Sequence, residues 1–184
     1  MQIDPAPPSN HGSGNARVLI VQPNRSALQV LAKRLGEAGY RIIACDDAAN
    51  ATAEMLRLPV DLVLAELRME SLSGVELTRR IRDATLLRDT PVILITGRSD
   101  SSGAVDGFSA GADDVVAKPF HFEVLAARIA RRIGRARSVK ELRSDNATLD
   151  ARVITRSIEL GEIRAALQQS EAERLRLQQL VSRD

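Results

Sequence analysis

Short unbroken apolar runs alternate with segments of helical spacing between residues 17 and 133. Apolar runs of this length are typical of strands buried on both faces of a sheet. In the intervening segments apolar residues recur three or four positions apart, as in Leu28, Leu31 and Leu35, which indicates amphipathic helices. Asn24 and Gly39 supply a start signal and a stop signal for the first helix. The pattern predicts five strands, each followed by a helix, at 18–21, 41–45, 62–65, 92–95 and 115–117.

The alternation of strands and helices with short connections indicates the fold class. Such a chain is expected to form an α/β domain with a doubly wound five-stranded parallel sheet and helices on both faces. In an open sheet of this kind, ligands bind beyond the carboxyl ends of the strands. We therefore expect the residues that follow four of the strands to lie near one another: Gln22 and Pro23, Glu66, Thr96, and Lys118.

Glu66 is the central candidate of this group. It ends the apolar run 62–65, and a loop leads from it to Gly74 and the next helical segment. A carboxylate at this place is either a strand-terminal side chain that faces water or part of a functional site. The convergence of the other polar strand ends on the same edge favours the functional interpretation.

Composition limits the classes of function. The 184 residues are 44% hydrophobic but only 2% aromatic, so we expect an aliphatic core in one domain plus an extension. The 26 basic and 24 acidic residues nearly balance, which argues against a dedicated nucleic-acid binder. The single cysteine, Cys45, excludes an internal disulfide and fits a reducing compartment. Without an apolar run of about 18 residues or a signal-peptide pattern, the chain is predicted to be cytoplasmic and free of the membrane.

Six motifs occur in a fixed order and spacing over nearly the whole domain: VLIV at 18–21, DLVL at 61–64 before Glu66, Gly74, PVILIT at 91–96, AGADD at 110–114 and KPF at 118–120. With these motifs, residues 17–133 resemble a response-regulator receiver domain. The resemblance implies the flavodoxin-like receiver fold and a cis peptide bond before Pro119, which would aim the Lys118 ammonium inward. It also implies a role in two-component phosphorelay signalling without enzymatic activity.

The site residues depart from the pattern of that family. A working receiver uses an acidic pair to hold Mg²⁺ and an aspartate to accept the phosphoryl group. Here Gln22 and Pro23 replace the acidic pair, whereas Mg²⁺ prefers carboxylate oxygens. Glu66 stands at the acceptor position, where its extra methylene displaces the carboxylate from the geometry of in-line transfer. We therefore expect no metal, no cofactor and no catalytic residue, which makes the domain a pseudo-receiver.

Two positions that would contact a phosphoryl group persist, Thr96 as a hydroxyl donor and Lys118 as a counter-ion. Our hypothesis is that Glu66 pairs with Lys118 and accepts a hydrogen bond from Thr96, so that it permanently imitates the phosphorylated state of a receiver. A decayed site, with Glu66 turned to solvent, is the competing interpretation, and true phosphorylation is a third. Val115, at the position of the aromatic switch of the family, suggests an altered relay to the surface. Binding of a small ligand in the pocket that the acidic pair would occupy is a further alternative.

Beyond residue 138 the apolar spacing changes to a heptad repeat. Nine of the thirteen seam positions between Val139 and Val181 are apolar, which predicts a coiled coil. Asn146 at an a position favours a parallel two-stranded register and hence a homodimer. A single long helix folded back on the receiver is the competing arrangement. The predicted register is defined by Asn146, Val153, Leu160, Ile163 and Leu167.

A basic cluster precedes this repeat. It has no interleaved aromatic residues for base stacking, and acidic residues follow it, so we interpret it as a solvated helical face. A nucleic-acid-binding adaptor that uses these residues is the second alternative function. The cluster comprises Arg128, Arg131, Arg132, Arg135, Arg137, Lys140 and Arg143.

These observations predict three segments and one main function. The segments are a disordered arm rich in proline and glycine at 1–15, a receiver-like domain at 16–134 and a helical coiled-coil extension at 135–184. We predict an atypical response regulator that acts through protein–protein contact, with a histidine kinase or an output protein as its partner and a second copy across the coil. The first alternative is a phosphorylatable receiver of a larger regulator whose output domain, a nucleotide cyclase or a kinase, is absent from this sequence.

Overall fold

The computed structural model describes residues 16–98 and 100–181, so the predicted arm at 1–15 lies outside the described residues. Five strands are present: β1 (Arg17–Val21), β2 (Arg41–Cys45), β3 (Leu62–Glu66), β4 (Val92–Thr96) and β5 (Asp114–Ala117). They form one sheet in the order β2-β1-β3-β4-β5, and every neighbouring pair is parallel. The predicted doubly wound five-stranded fold is confirmed, with β2 and β5 at the two edges of the sheet.

Helices cover both faces of the sheet because successive strand residues point to opposite sides. Leu19 and Val63 point into a core shared with the second and third helices, whereas Ile20 and Leu64 point into a core shared with the first and fifth helices. Both cores are aliphatic, as the composition predicts. The helices are α1 (Arg25–Glu37), α2 (Ala48–Arg57), α3 (Gly74–Asp83), α4 (Ser101–Ser109) and α5 (Phe122–Val181).

Local sequence signals set the ends of these helices. Asn24, the predicted start signal of α1, accepts a hydrogen bond from the Ala27 N–H at 3.0 Å and so satisfies one unpaired donor of the first turn. Gly39 follows α1 with a φ of 92°, a left-handed conformation that glycine adopts without a steric penalty. Asp47, Ser73 and Asp100 cap α2, α3 and α4 in the same way as Asn24.

Arg82 joins three segments at the amino edge of the sheet. From α3 its guanidinium donates to the carbonyls of Gly111, Arg88 and Thr90 at 2.8–2.9 Å, and to the Asp113 carboxylate at 2.8 Å. The same Asp113 oxygen accepts the N–H of the first residue of β4. A planar guanidinium with five donors suits such a multidentate role, which the sequence did not reveal.

The basic cluster is only partly a solvated face. Arg128 and Arg132 lie 2.9 and 3.5 Å from the buried Asp114 carboxylate at the start of β5. Arg137 lies 3.2 Å from Asp61, just before β3. The interpretation as a wholly solvated face is therefore wrong for these three arginines, because acidic groups at the amino edge of the sheet pair with them.

The chain divides into two compact units between Arg137 and Ser138, three residues beyond the predicted boundary. The second unit is helical up to Val181. Its apolar seam positions stay exposed in the single chain, with more than half of each side chain open to solvent at Leu142, Leu149, Val153, Leu160, Ile163 and Leu167. Within the described ranges no helix is long and apolar enough to cross a membrane.

Candidate functional site

The carboxylate of Glu66 is held at the carboxyl edge of the sheet by two donors. Lys118 Nζ lies 2.6 Å from Glu66 Oε2, and Gln22 Nε2 lies 2.7 Å from the same oxygen. The Glu66 side chain is only 13% exposed, whereas that of Lys118 is 43% exposed. The expected contact between Glu66 and Lys118 is therefore present, and the carboxylate does not turn to solvent.

Gln22 takes a part in this site that the sequence analysis missed. Its Oε1 accepts a hydrogen bond from the Asn24 N–H at 3.1 Å, so its amide nitrogen is directed at Glu66. Both ends of the amide are thus satisfied, which matters because Gln22 is only 4% exposed. The sequence analysis treated Gln22 only as a lost metal ligand. The available signal was that β1 and β3 are neighbours, which places an amide donor beside the carboxylate.

Thr96 lies at the end of β4 but does not donate to Glu66. Its Oγ1 donates to Asp100 Oδ2 at 3.0 Å. The expectation that Glu66 accepts from Thr96 is therefore wrong for this structure. The physical reason is that Asp100 caps α4 four residues further on and brings a second carboxylate to the single donor of the hydroxyl.

Asp100 is the most highly connected acidic group near the site. Arg68, two residues beyond Glu66, donates to both of its oxygens, from Nε at 2.8 Å and from Nη2 at 2.9 Å. The Gly103 N–H donates to the same carboxylate at 3.0 Å. The hydrogen bonds from Arg68, and then from Gly103 and Thr96, hold the pKa of Asp100 well below its usual range. An aspartate before a helical segment predicts a cap, but its pairing with Arg68 is not visible in the sequence.

The remaining predicted site residues are placed around this edge. The Lys118–Pro119 peptide bond is cis. Val115, at the predicted switch position, is partly buried and packs against the core between the sheet and α2 and α3. Pro23 is exposed and precedes the cap residue Asn24.

The residues present do not fit the Mg²⁺ ion that the receiver family implies. The oxygen of Gln22 already accepts from Asn24, Pro23 has no side-chain ligand, and the Glu66 carboxylate is bound by Lys118. Among the residues described, no group of three His, Cys, Asp or Glu side chains is arranged to hold a metal. The arrangement therefore stabilises the negative charge of Glu66.

Comparisons with known proteins agree with this fold. The family model described as "Response regulator receiver domain" matches residues 18–130. The putative response regulator from Chloroflexus aurantiacus superposes with a TM-score of 0.63 at 26% identity, covering 65% of this chain and 98% of that one. The FixJ-N structure gives a TM-score of 0.60 at 31% identity, covering 65% of this chain and 94% of that one.

Curated relatives give the same result. The transcriptional regulatory protein DltR of Streptococcus agalactiae is 31% identical over 136 residues, which are 73% of this chain and 60% of that protein. The transcriptional regulatory protein YvrH of Bacillus subtilis is 33% identical over 132 residues, 71% of this chain and 54% of that protein. This chain thus spans less than two thirds of the length of these relatives. The fold, the motif order and these matches together show that the chain belongs to the response regulator receiver domain family of two-component signalling.

Proposed function

We propose that this domain is a pseudo-receiver that regulates through protein–protein contact without being phosphorylated. The observation that carries the proposal is the Glu66 carboxylate bound by both Lys118 and Gln22. The cation that would neutralise a phosphoryl group already has a permanent anionic partner. The Gln22 amide occupies the place of one of the two acids that would hold the metal.

The charge balance of the site supports a constitutive state. Two unit charges about 4 Å apart attract by roughly 4 kcal/mol at an effective dielectric of 20, before the costs of desolvation and side-chain ordering. This attraction favours the contact between Glu66, at the end of β3, and Lys118, just after β5. The low exposure of Glu66 argues against a decayed site in which this side chain faces water. Glu66 therefore takes the place of a phosphoryl group for Lys118 only. It does not do so for Thr96, because the Thr96 hydroxyl donates to Asp100.

A phosphorylation assay tests this proposal. The protein is incubated with acetyl phosphate and Mg²⁺, and its intact mass is measured. The wild-type mass should stay unchanged, and a stoichiometric gain of one phosphoryl group would overturn the pseudo-receiver. A variant that combines Gln22→Asp, Pro23→Asp and Glu66→Asp restores the acids of the family pattern and serves as the positive control.

A second test asks whether the fixed charge matters for recognition. Glu66→Gln keeps the size of the side chain and an oxygen for hydrogen bonding, but it removes the negative charge opposite Lys118. If the charge sets the regulatory state, the affinity for the signalling partner, a histidine kinase or an output protein, should change. Equal affinities of wild type and Glu66→Gln would favour the decayed site.

The second part of the proposal is that two copies associate through a parallel coiled coil in the helical extension. The support is the row of exposed apolar seam residues in α5, with Leu160 and Ile163 among the most central. Sedimentation analysis should give a dimer for the wild type and a monomer for Leu160→Asp. Thr155→Asp, which puts the same side chain on the opposite face, should leave the dimer intact. In a Cys45→Ala background, Leu142→Cys, near the amino end of the predicted coil, should form a disulfide between identical positions on mild oxidation only if the helices are parallel.

The receiver module of a larger, phosphorylatable regulator is the second candidate function. It is favoured by the length comparison, because this chain matches little more than half of two relatives named as transcriptional regulatory proteins. The mass measurement above separates the two candidates. The nucleic-acid adaptor is less well supported, since three of the basic residues pair with Asp61 and Asp114. We keep the cytoplasm as the proposed compartment, on the basis of the single unpaired Cys45.

A further inference from the structure

Helix α4 is anchored to the rest of the domain by very few side chains. Its only buried residues are two glycines, Gly103 and Gly107, while Val105 and Phe108 are more than half exposed. A Cβ at Gly107 would come within 3.0 Å of the Leu94 side chain, so the helix backbone itself lies against β4. Glycine also lowers the intrinsic stability of a helix. Neither buried side chains nor helix propensity therefore accounts for the position of this helix.

The amino end of α4 is held instead by one carboxylate. Asp100 caps the helix through the Gly103 N–H and accepts from the Thr96 hydroxyl, which is 2% exposed. Both Asp100 oxygens are bound by Arg68, which lies 32 residues earlier in the loop after β3. The ion pair thus joins the loop after β3 to the turn before α4. We call this set of contacts among Arg68, Asp100 and Thr96 the α4 clasp.

The clasp can be reached from outside. The Arg68 side chain is 70% exposed, whereas that of Asp100 is 15% exposed. Loss of Arg68 leaves the Asp100 charge poorly compensated, and release of Asp100 removes the acceptor of the buried Thr96 hydroxyl. These contacts share one carboxylate, so the loss of any of them weakens the attachment of the amino end of α4.

We propose that α4 is a conditionally docked helix whose attachment to the sheet is controlled by the Arg68–Asp100 ion pair. Opening uncovers the surface of Leu94, Val115 and Leu67 against which Gly107 packs. This mechanism does not depend on the charge at Glu66 or on the absence of phosphorylation. It can therefore hold or fail separately from the proposed function.

Hydrogen exchange of the full chain tests the proposal. Opening of α4 alone raises the exchange of its own amides and leaves that of the central strands unchanged. In Arg68→Ala we expect the amides of residues 104–110 to exchange about tenfold faster, while those of β1 and β3 keep their wild-type rates. Arg68→Lys keeps the charge but loses the bidentate geometry, so the exchange rates of its α4 amides should lie between those of the wild type and of Arg68→Ala. Arg80→Ala removes a comparably exposed arginine that pairs with Glu76 on α3, so it should change nothing in α4.

Two results would overturn the proposal. One is an Arg68→Ala protein whose α4 amides exchange as in the wild type. The other is a uniform increase that includes β1 and β3, which would show global destabilisation. The wild type provides an independent measurement, because added salt screens an exposed ion pair. Raising the salt concentration should accelerate exchange in α4 selectively, and an unchanged α4 would count against the clasp.

Discussion

The side-chain amide of Gln22, directly after β1, donates a 2.7 Å hydrogen bond to the carboxylate of Glu66 at the end of β3. In the family pattern an acidic residue at the first position and an aspartate at the second would share a metal ion. Here a neutral amide binds a carboxylate directly, and Lys118 supplies the positive charge. The side chains at these two positions are thus physically complementary to each other.

Loss of the Lys118 ammonium should destabilise the domain. Lys118→Met keeps the aliphatic stem but leaves the Glu66 carboxylate, 13% exposed, with Gln22 as its remaining side-chain donor. A poorly solvated carboxylate that loses a charged partner costs about 1–3 kcal/mol, and we expect the lower half of that range because Gln22 still donates to Glu66 and Lys118 is partly exposed. Urea denaturation measures the free energy of unfolding.

The double variant Lys118→Met/Glu66→Gln provides the control for this prediction. Without the carboxylate, loss of the ammonium should cost much less, which gives a coupling energy of about 1 kcal/mol between the two sites. Strictly additive effects would mean that the ion pair contributes nothing to folding.

Gly74 should not tolerate a side chain. A Cβ at this position would overlap the backbone carbonyl of Glu66 and lie 3.1 Å from Leu67 Cα. Since backbone atoms cannot move aside as a flexible side chain can, Gly74→Ala should cost about 2 kcal/mol or more. Gly36→Ala, within α1 and with nothing within 4 Å of the added methyl, should instead stabilise by about 0.5–1 kcal/mol. Thermal denaturation of the two variants should shift in opposite directions, and a shift in the same direction would contradict the prediction.

Features that depend on residues close together in the chain, or on the order of the strands, were predictable from the sequence. The apolar runs predicted every strand to within one residue at either end. The reason is clearest for β1, β3 and β4, because a buried strand leaves little room for polar residues. Asn24 and Gly39 marked the ends of α1 because capping and left-handed backbone act within a few residues. The contact between Lys118 and Glu66 followed from topology, since parallel strand ends meet at one edge.

Contacts between distant side chains were not predictable in this way. Arg82 and Arg68 each bind partners about thirty residues away, and their surroundings in the sequence do not distinguish them from other surface arginines. The role of Gln22 as a hydrogen-bond donor was missed because this residue was considered only as the replacement of a metal-binding acid. Thr96 was assigned to Glu66 because Asp100 was not recognised as a competing carboxylate.

The stabilising effect of Asp100 should disappear in acid. Its hydrogen bonds lower the pKa of the folded carboxyl, so its contribution to stability is complete above the ordinary pKa of an aspartate, about 3.9. That contribution is lost as the pH falls from there toward the lowered pKa of the folded state. Asp100→Asn keeps a capping side chain but cannot ionise. Urea denaturation should show wild type more stable than Asp100→Asn at pH 7, with the difference shrinking below pH 4, and a difference independent of pH would contradict this assignment.

The Cys45 thiol should be unreactive in the folded protein. Burial, together with the nearby charges of Glu54, Asp47 and Asp46, raises the pKa of this thiol to about 11. An exposed cysteine has a pKa of about 8.5, and only the thiolate reacts with alkylating agents. At pH 8.5 iodoacetamide should therefore modify the urea-unfolded chain far faster than the native one.

The raised pKa of Cys45 also affects the stability of the protein at alkaline pH. Because the folded pKa of Cys45 is raised, the protonated thiol contributes stability that is fully present below about pH 8.5. This stability is lost as the pH rises toward 11, since the unfolded thiol ionises first and the folded one follows. Cys45→Ala has no group to ionise, so the difference in unfolding free energy between wild type and variant should narrow between pH 8.5 and 11. Glu54→Gln removes one of the charges that raise the pKa of Cys45 and should speed the native alkylation, whereas equal rates for both proteins would mean that Glu54 does not raise this pKa.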